Sequence, residues 1–309
     1  MMVSMAVLSL ILIVMFQITS NTSKLWQHTR ARIDTFQESR GAFETVTKNL
    51  SQAMMNTYWD YVNAAHDSRV DLARKSTSLG TAKAFSPDSY RRQSELEFMS
   101  GVSNSLLSGV SSTGSGGFST VGSAIFFQAP LGIKDPKVTG DPASDTSLSA
   151  LLNSCGYFLE YADDSKDRPN FLIGKNPKPR SRLRLMELRQ PSEKMAVYSN
   201  LGASSVNWFV TALNETKGSR LVNRHVVAEN IIAMALIPKR SPGDQALDPA
   251  TDPLAVNYSY DSRAYLTDRT NPRALLMCNQ LPPMVHVIIV AIDEKSAARL
   301  EDEGRSPIT

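Results

Sequence analysis

The sequence predicts an α+β fold, in which one long N-terminal helix is followed by a β-rich globular domain with a mostly antiparallel sheet. Three observations predict it. The opening run, MMVSMAVLSLILIVMF, is almost wholly apolar. The polar sequence that follows keeps a helical spacing of apolar residues, and no turn residue appears between Ile18 and Gly41. Beyond about residue 56, short strand-like runs alternate with turn signals, which is typical of an α+β domain.

The composition predicts a folded chain with its own core. With 309 residues, 42% of them hydrophobic and 20% charged, the chain suffices for one large domain or two modest ones. The net charge of +3 is small and basic residues alternate with acidic ones, so no nucleic-acid partner is expected. Cys155 and Cys278 form no CxxC motif. They are either two buried free thiols or the two halves of one long-range disulfide.

Residues 1–18 form the apolar part of the predicted helix. As a helix this segment is about 27 Å long, close to the ~30 Å hydrocarbon thickness of a bilayer. A cleaved signal peptide is the first alternative, but no basic region precedes the run and QITS is a poor cleavage site. A buried helix of a soluble domain is the second alternative. The residues predicted to face lipid or another apolar surrounding are Met1, Met5, Leu8, Leu12, Met15 and Phe16.

Residues 19–56 form the amphipathic part of the helix, which is predicted to pack on the globular domain. Its apolar residues recur at intervals that keep them near one helix face. Phe36 and Phe43 are expected to be buried anchors, since large apolar side chains are usually buried. The residues predicted to pack on the domain are Leu25, Ile33, Phe36, Phe43, Val46 and Leu50.

Residues 57–309 are predicted to form the globular domain. Its candidate strands are Thr57–Val62, Glu95–Ser100, Ser123–Ala129, Gly156–Tyr161, Arg182–Arg189, Val226–Ile237 and Met284–Ile292. The last of these is nearly continuous in apolar residues, which predicts a central strand. The run Ser147–Ser154 predicts a short helix. The Gly- and Ser-rich run Ser108–Gly122 and the Pro-containing run Lys239–Asp252 predict exposed loops.

The sequence contains no recognisable catalytic or metal-binding motif. The four histidines, at positions 28, 66, 225 and 286, pair with no nucleophile in a known pattern, and neither GxSxG nor HExxH occurs. Asp163, Asp164 and Asp167 could meet calcium, but their spacing lacks the pattern of an EF-hand and favours a solvated turn. We therefore expect a protein that is not an enzyme, with no cofactor, no metal and no small-molecule substrate.

The opening helix resembles the type IV pilin and pseudopilin family. In that family an apolar helical half runs unbroken into an amphipathic half and then into a β-rich domain. The mature family proteins start with Phe, Thr, two aliphatic residues and Glu, and Met1 fits the position just after that Glu. The resemblance therefore implies a basic leader and this Glu upstream of Met1, in a reading frame that extends further.

Several local strings resemble the Verru_Chthon cassette protein C group, relatives of the minor pseudopilin J of type II secretion. The strings are SELEFMSG, SAIFFQAPLG, LLNSCGYFLEYADD, RLRLMELRQPSEKMAVY, VVAENIIAMALIPKR, NYSYDSR and LPPMVHVIIVAIDEKSA. The resemblance implies a minor pilin-like subunit of a type II secretion or type IV pilus-like assembly. Such a subunit would cross the inner membrane once, place its globular domain in the periplasm and contact other pilin-like subunits. A single-helix, membrane-anchored binding or sensory ectodomain that works alone is the rival interpretation.

Overall fold

The computed structural model describes residues 2–69, 72, 85–112, 117–134, 150–164, 179–199, 207–217 and 220–302. Over these residues the chain is an α+β protein, with a long N-terminal helix followed by antiparallel sheets. This coarse prediction is confirmed. The first helix, α1, spans Met2–Ser51 without interruption.

The described part of the chain contains twelve strands and six α-helices after α1. The strands are β1 (Thr57–Val62), β2 (Ser89–Ser94), β3 (Met99–Val102), β4 (Ser123–Pro130), β5 (Leu152–Asp163), β6 (Ser181–Gln190), β7 (Thr216–Lys217), β8 (Arg220–Leu221), β9 (Arg224–Glu229), β10 (Ile231–Pro238), β11 (Tyr260–Asp261) and β12 (Val285–Ala291). The helices after α1 are α2 (Ser103–Leu106), α3 (Ala196–Ser199), α4 (Trp208–Leu213), α5 (Pro242–Leu247), α6 (Pro272–Met277) and α7 (Glu294–Asp302).

The centre of the domain is a six-stranded sheet with the order β11-β3-β4-β5-β6-β9, in which all neighbours are antiparallel. Three antiparallel ribbons stand apart from it in the described residues, β1–β2, β7–β8 and β10–β12. The ribbon β10–β12 and the end of α1 lie on one face of the sheet, since β10 contacts β3, β4, β5 and β6 and α1 contacts β4, β9 and β12. The short helices α2 and α4 lie on the other face.

Each face of the sheet has its own core. On the face of α1, Val46 packs with Ile125, Tyr157 and Leu236 in one buried cluster. On the opposite face, the ring of Phe126 stacks on that of Phe209 with centroids 3.8 Å apart. Gly156 lies beside Phe126, and a Cβ there would come within 2.2 Å of the Phe126 ring. A side chain at position 156 would therefore displace the central aromatic residue of this core.

Several predicted strand boundaries change in the structure. The run Val226–Ile237 is two strands, because Asn230 between β9 and β10 has φ 58°, a left-handed conformation that interrupts an extended chain. The strand predicted from Glu95 begins only at Met99. Strand β2, with the polar sequence SYRRQS, was not predicted at all. The predicted helix Ser147–Ser154 is wrong where the structure describes it, because Leu152 starts β5; residues 147–149 lie outside the described residues.

The prediction that Met284–Ile292 forms a central strand is also wrong. Strand β12 pairs with β10 alone in a two-stranded sheet. Its burial alternates along the strand, with Val287 and Ile289 packed against the core and Ile288 and Val290 exposed. The apolar run therefore supplies both an inner and an exposed outer face, rather than two buried faces.

Candidate functional site

The apolar half of α1 stands clear of the globular domain. From Ile11 to Arg30, the described side chains are exposed apart from Ser20, which is half-buried. This length of helix corresponds to about 30 Å. Exposed contiguous apolar surface on this scale marks an interaction site in soluble and membrane proteins alike. The helix is therefore the candidate functional site of the chain.

Large apolar side chains cover the opening part of α1, up to Ile18. Met5, Leu8, Leu12, Met15 and Phe16 are all exposed, the last with 77% of its surface accessible. Met1, predicted with them, lies outside the described residues. Among the helices in the described part of the chain, none combines the length and the apolar character needed to cross a bilayer.

The second half of α1 is attached to the domain through a face of small and polar residues. Ala42 and Val46 are buried against the sheet, and Val46 has no accessible surface. Further towards the N-terminus, the Glu38 carboxylate accepts a hydrogen bond of 2.8 Å from the backbone N–H of Glu229 at the end of β9. Small side chains on this face let the helix backbone lie close to the sheet.

A polar network fixes the C-terminal end of α1. The Asn49 side-chain amide donates to the phenol oxygen of Tyr157 at 2.7 Å, and that phenol donates to Glu187 at 2.7 Å. Arg189 completes the network with a hydrogen bond of 2.6 Å to the other oxygen of Glu187. Burial, reinforced by Cys155 and Glu187, raises the pKa of Tyr157, so its hydroxyl remains a donor at neutral pH. The network therefore holds the helix end in a fixed orientation on the sheet.

Only part of the predicted packing face of α1 reaches the core. Val46 is buried and Leu50 packs against the core cluster. The other four residues, Leu25, Ile33, Phe36 and Phe43, are exposed, with 66% of Phe36 and 42% of Phe43 accessible. The predicted burial of these four side chains is wrong. Leu25 lies on the part of the helix that stands clear of the domain, while Phe36 and Phe43 lie on the flank of the helix, outside the core cluster.

The helix thus carries two faces that point in roughly opposite directions. At about 100° per residue, Glu38, Ala42 and Val46 lie within one arc of roughly 80° that faces the sheet. The second arc, roughly 100° wide, is centred about 150° away and is mostly apolar. We call it the outer stripe; its residues are Leu8, Ile11, Met15, Ile18, Leu25, Trp26, Ile33, Phe36 and Phe43, all exposed.

Three polar residues, Thr22, Thr29 and Arg40, interrupt the outer stripe. Thr29 lies within it, and its hydroxyl donates to the carbonyl of Leu25 at 3.0 Å, which leaves the methyl group to face outwards. Arg40, between Phe36 and Phe43, is paired with Glu44 at 2.7 Å. The stripe therefore runs for about 50 Å from Leu8 to Phe43.

The other candidate residues of the sequence do not assemble into a site. His286 is exposed on β12, and His225 is exposed on β9. Asp163 is the last residue of β5, and Asp164 follows it directly. Asp167 lies outside the described residues. Within the residues that the structure describes, no three His, Cys, Asp or Glu side chains are grouped to hold a metal ion. Cys155 and Cys278 are both buried and are not bonded to each other.

A shallow cleft beside β6 offers little room for a ligand. It is lined by Tyr161, Arg182, Leu300 and Glu301, between the sheet and α7. Within the cleft, Arg182 forms ion pairs with Glu294, at 3.2 Å, and with Glu301. The cleft is therefore best explained as the seam where α7 is attached to the sheet.

Comparison with known proteins assigns the chain to no family. No protein-family model, no curated protein and no solved structure matches it. The function is therefore argued from the geometry of α1 and the domain.

Proposed function

We propose that this protein is a minor pilin- or pseudopilin-like structural subunit of a type II secretion or type IV pilus-like assembly. It acts through helix-mediated assembly rather than catalysis. In this proposal the apolar half of α1 lies in the inner membrane or in the core of a filament, and the globular domain lies in the periplasm. The outer stripe contacts the helices of other pilin-like subunits.

The shape of the outer stripe is the observation that carries the proposal. It is about 50 Å long and only one helix face wide, so a second helix is the element that covers it best. Leaving Trp26, Phe36 and Phe43 in water is unfavourable, because a buried aromatic side chain removes about 150–250 Å² from solvent. Burial of this stripe against other helices therefore supplies the free energy of assembly.

The domain core does not depend on the first part of α1, and this supports the same proposal. The two core clusters of the domain include no residue of α1 before Ala42. The segment before Arg30 is therefore not needed to close the core, and its apolar surface serves another purpose. In lipid, packing of such a helix against its neighbours is driven by van der Waals contact rather than by the hydrophobic effect.

The opening run and the second half of the outer stripe have different surroundings. The run up to Ile18 is almost wholly apolar in sequence and suits a lipid or filament interior. Phe43 lies about 38 Å beyond Ile18 along the helix, outside any bilayer that holds the opening run. A protein partner therefore has to cover the second half of the stripe. This distinguishes a subunit of an assembly from an anchored ectodomain that works alone.

The test compares two double variants of the full chain in the cells that produce it. The stripe variant is Leu25→Ser with Phe36→Ser, and the matched control is Gln27→Ser with Asp34→Ser on the side of the same helix. After mild detergent extraction, native electrophoresis reports the size of the complex. We expect the control to remain in a large complex and the stripe variant to run as a single subunit with an unchanged unfolding transition. A stripe variant in a complex of wild-type size would contradict the proposal.

A further inference from the structure

A second exposed surface lies on the ribbon β1–β2, away from the outer stripe. The register places Trp59 opposite Arg92 and Tyr61 opposite Tyr90, so these four side chains share one face of the ribbon. Trp59 is 68% accessible and Tyr90 63% accessible. We call this face the aromatic platform. Exposed tryptophan and tyrosine side chains on a regular ribbon are unusual, because such residues are normally at least half-buried.

The side chains of the platform are held in place before any ligand arrives. The rings of Tyr61 and Tyr90 lie 4.4 Å apart, and the Tyr90 hydroxyl donates to the Tyr61 hydroxyl at 2.8 Å. The Arg92 guanidinium lies 5.7 Å from the centre of the Trp59 ring. A ligand therefore meets aromatic faces whose rotamers are already restricted, which lowers the entropy cost of binding.

The ribbon is also fixed to the domain from behind. On its inner face, the Arg91 guanidinium lies 4.3 Å from the centre of the Tyr265 ring. At the edge of β2, the buried Asn279 donates its side-chain amide to the Arg92 carbonyl at 2.7 Å. Asn279 has φ 50°, the left-handed conformation that aims this side chain at the ribbon. The platform is thus a rigid surface rather than the tip of a mobile loop.

The charge of the platform selects for an anionic ligand. Arg92 is its one ionic side chain, and none of the described carboxylates forms an ion pair with it. Asp60, the nearest acid along β1, points to the inner face, opposite Arg91. The guanidinium is therefore available for a carboxylate, which it binds with two parallel hydrogen bonds in the favourable geometry.

The area of the platform suits a small occupant. Three aromatic side chains offer at most about 750 Å², and their rings are partly stacked on one another. A stable protein interface buries about 800 Å² on each partner. A sugar ring needs far less area, because its C–H face packs flat on one aromatic ring while its hydroxyl groups reach donors at the rim. Trp59 and Tyr90 are diagonal neighbours on the two paired strands, about 7–8 Å apart, so two rings of one polysaccharide chain can reach both.

We propose that the aromatic platform binds an acidic polysaccharide, in which pyranose rings stack on Trp59 and Tyr90 and a carboxylate pairs with Arg92. This inference does not rest on the proposed assembly function, since the platform lies on β1 and β2 rather than on the outer stripe.

The experiment measures retardation of the full chain, in mild detergent, by polygalacturonate cast in a native gel. Neutral dextran and polyglutamate are the comparison polymers. We expect retardation by polygalacturonate at physiological salt, and neither comparison polymer should match it. Trp59→Ala should weaken binding by at least about tenfold, because a lost contact of 1.4 kcal/mol corresponds to that factor. Arg92→Gln should abolish the preference for the charged polymer over dextran.

The matched control is Trp26→Ala. Trp26 is equally exposed, and the Arg30 guanidinium lies 5.5 Å from its ring centre, but the pair stands on α1. This variant should bind polygalacturonate like the wild type. The proposal is overturned if the wild type is not retarded, if Trp59→Ala and Trp26→Ala bind alike, or if polyglutamate binds as well as polygalacturonate. The last result would indicate an acidic peptide instead.

Discussion

Glu38 on α1 accepts a 2.8 Å hydrogen bond from the backbone N–H of Glu229, at the end of the sheet's edge strand. This contact lies on the same helix face as Ala42 and Val46 and ties α1 to the sheet near the point where the helix leaves the domain. It also sets the rotation of the helix about its axis. With Glu38 turned to the sheet, Phe36 and Phe43 point outwards.

The orientation of α1 predicts losses of stability of different size for two substitutions three residues apart. Val46→Ala removes a fully buried side chain and should lower the free energy of unfolding by about 2 kcal/mol. Phe43→Ala removes a larger side chain that is 42% accessible and lies outside the core cluster, so it should cost less than about 1 kcal/mol. Urea unfolding of the two variants measures both values. A Phe43→Ala variant that is the less stable of the two would mean that this phenylalanine closes the core.

A second prediction concerns two ion pairs with the same spacing and different burial. Arg240 and Asp244 are both fully buried with 2.9 Å between Nε and Oδ2, whereas Arg40 and Glu44 are exposed. Burial favours a raised pKa for Asp244, but hydrogen bonds from Arg240, Tyr258 and Arg273 outweigh it and lower the pKa. Asp244→Ala leaves a buried cation without its partner and should cost about 3–5 kcal/mol.

Glu44→Ala is the matched control for that variant, and it should cost less than about 0.5 kcal/mol, since exposed helix pairs contribute little. Thermal unfolding of both variants in the same buffer provides the comparison. Equal losses for the two would show that the buried pair is not what holds residues 240–251 together.

The third prediction is a pH dependence of stability that is due to Glu97. Burial raises the pKa of Glu97 to about 7; Arg263, 3.4 Å away, opposes this shift in part, and Asp261 adds to it. Because the folded protein holds this proton more tightly than the unfolded chain, stability falls as pH rises from about 4.5 to about 7. Glu97→Gln should therefore be less sensitive to pH than the wild type over this range.

The difference in the free energy of unfolding between wild type and Glu97→Gln separates the titration of Glu97 from that of groups that titrate at lower pH. Urea unfolding at pH 5 and pH 8 should show that the variant gains stability relative to the wild type at the higher pH. The limiting slope is about 1.4 kcal/mol per pH unit. An identical pH dependence of the two proteins would rule out Glu97 as the titrating group.

The fourth prediction concerns the two thiols. Cys155 is fully buried, and burial raises its pKa, so its reactive thiolate is scarce at neutral pH. Cys278 is also buried. We expect no rapid reaction with a thiol reagent in the native protein and two reactive thiols after denaturation without reductant. Recovery of no thiols after denaturation would reveal a disulfide and contradict the arrangement of β5 and α6.

Sequence periodicity predicted the helix and most strands, because apolar spacing reports where a segment can be buried. It located β1, β4 and β6 to within a residue. It did not find β2, whose side chains are polar and which is ordered by pairing with β1. It also could not separate β9 from β10, because the break depends on the left-handed backbone of Asn230 rather than on side-chain type.

The orientation of α1 was the main error, and its cause is physical. An apolar spacing shows that a helix face avoids water, but it does not show which partner covers that face. The domain uses the small residues Ala42 and Val46, whereas the larger Phe36 and Phe43 remain exposed. The aromatic platform had a usable signal in the alternation of TYWDYV, which places Trp59 and Tyr61 on one face, but its exposure depended on tertiary packing.

The most direct test of the account is site-specific photo-cross-linking in the cells that produce the protein. A photoreactive phenylalanine is placed at Phe36, on the outer stripe, and in a second protein at Asp34, which is exposed on the side of the same turn. We predict that position 36 cross-links to the N-terminal helices of other pilin-like subunits, identified by mass spectrometry, and that position 34 does not. Equal cross-linking from both positions, or none from position 36, would contradict the claim that the outer stripe is an assembly surface.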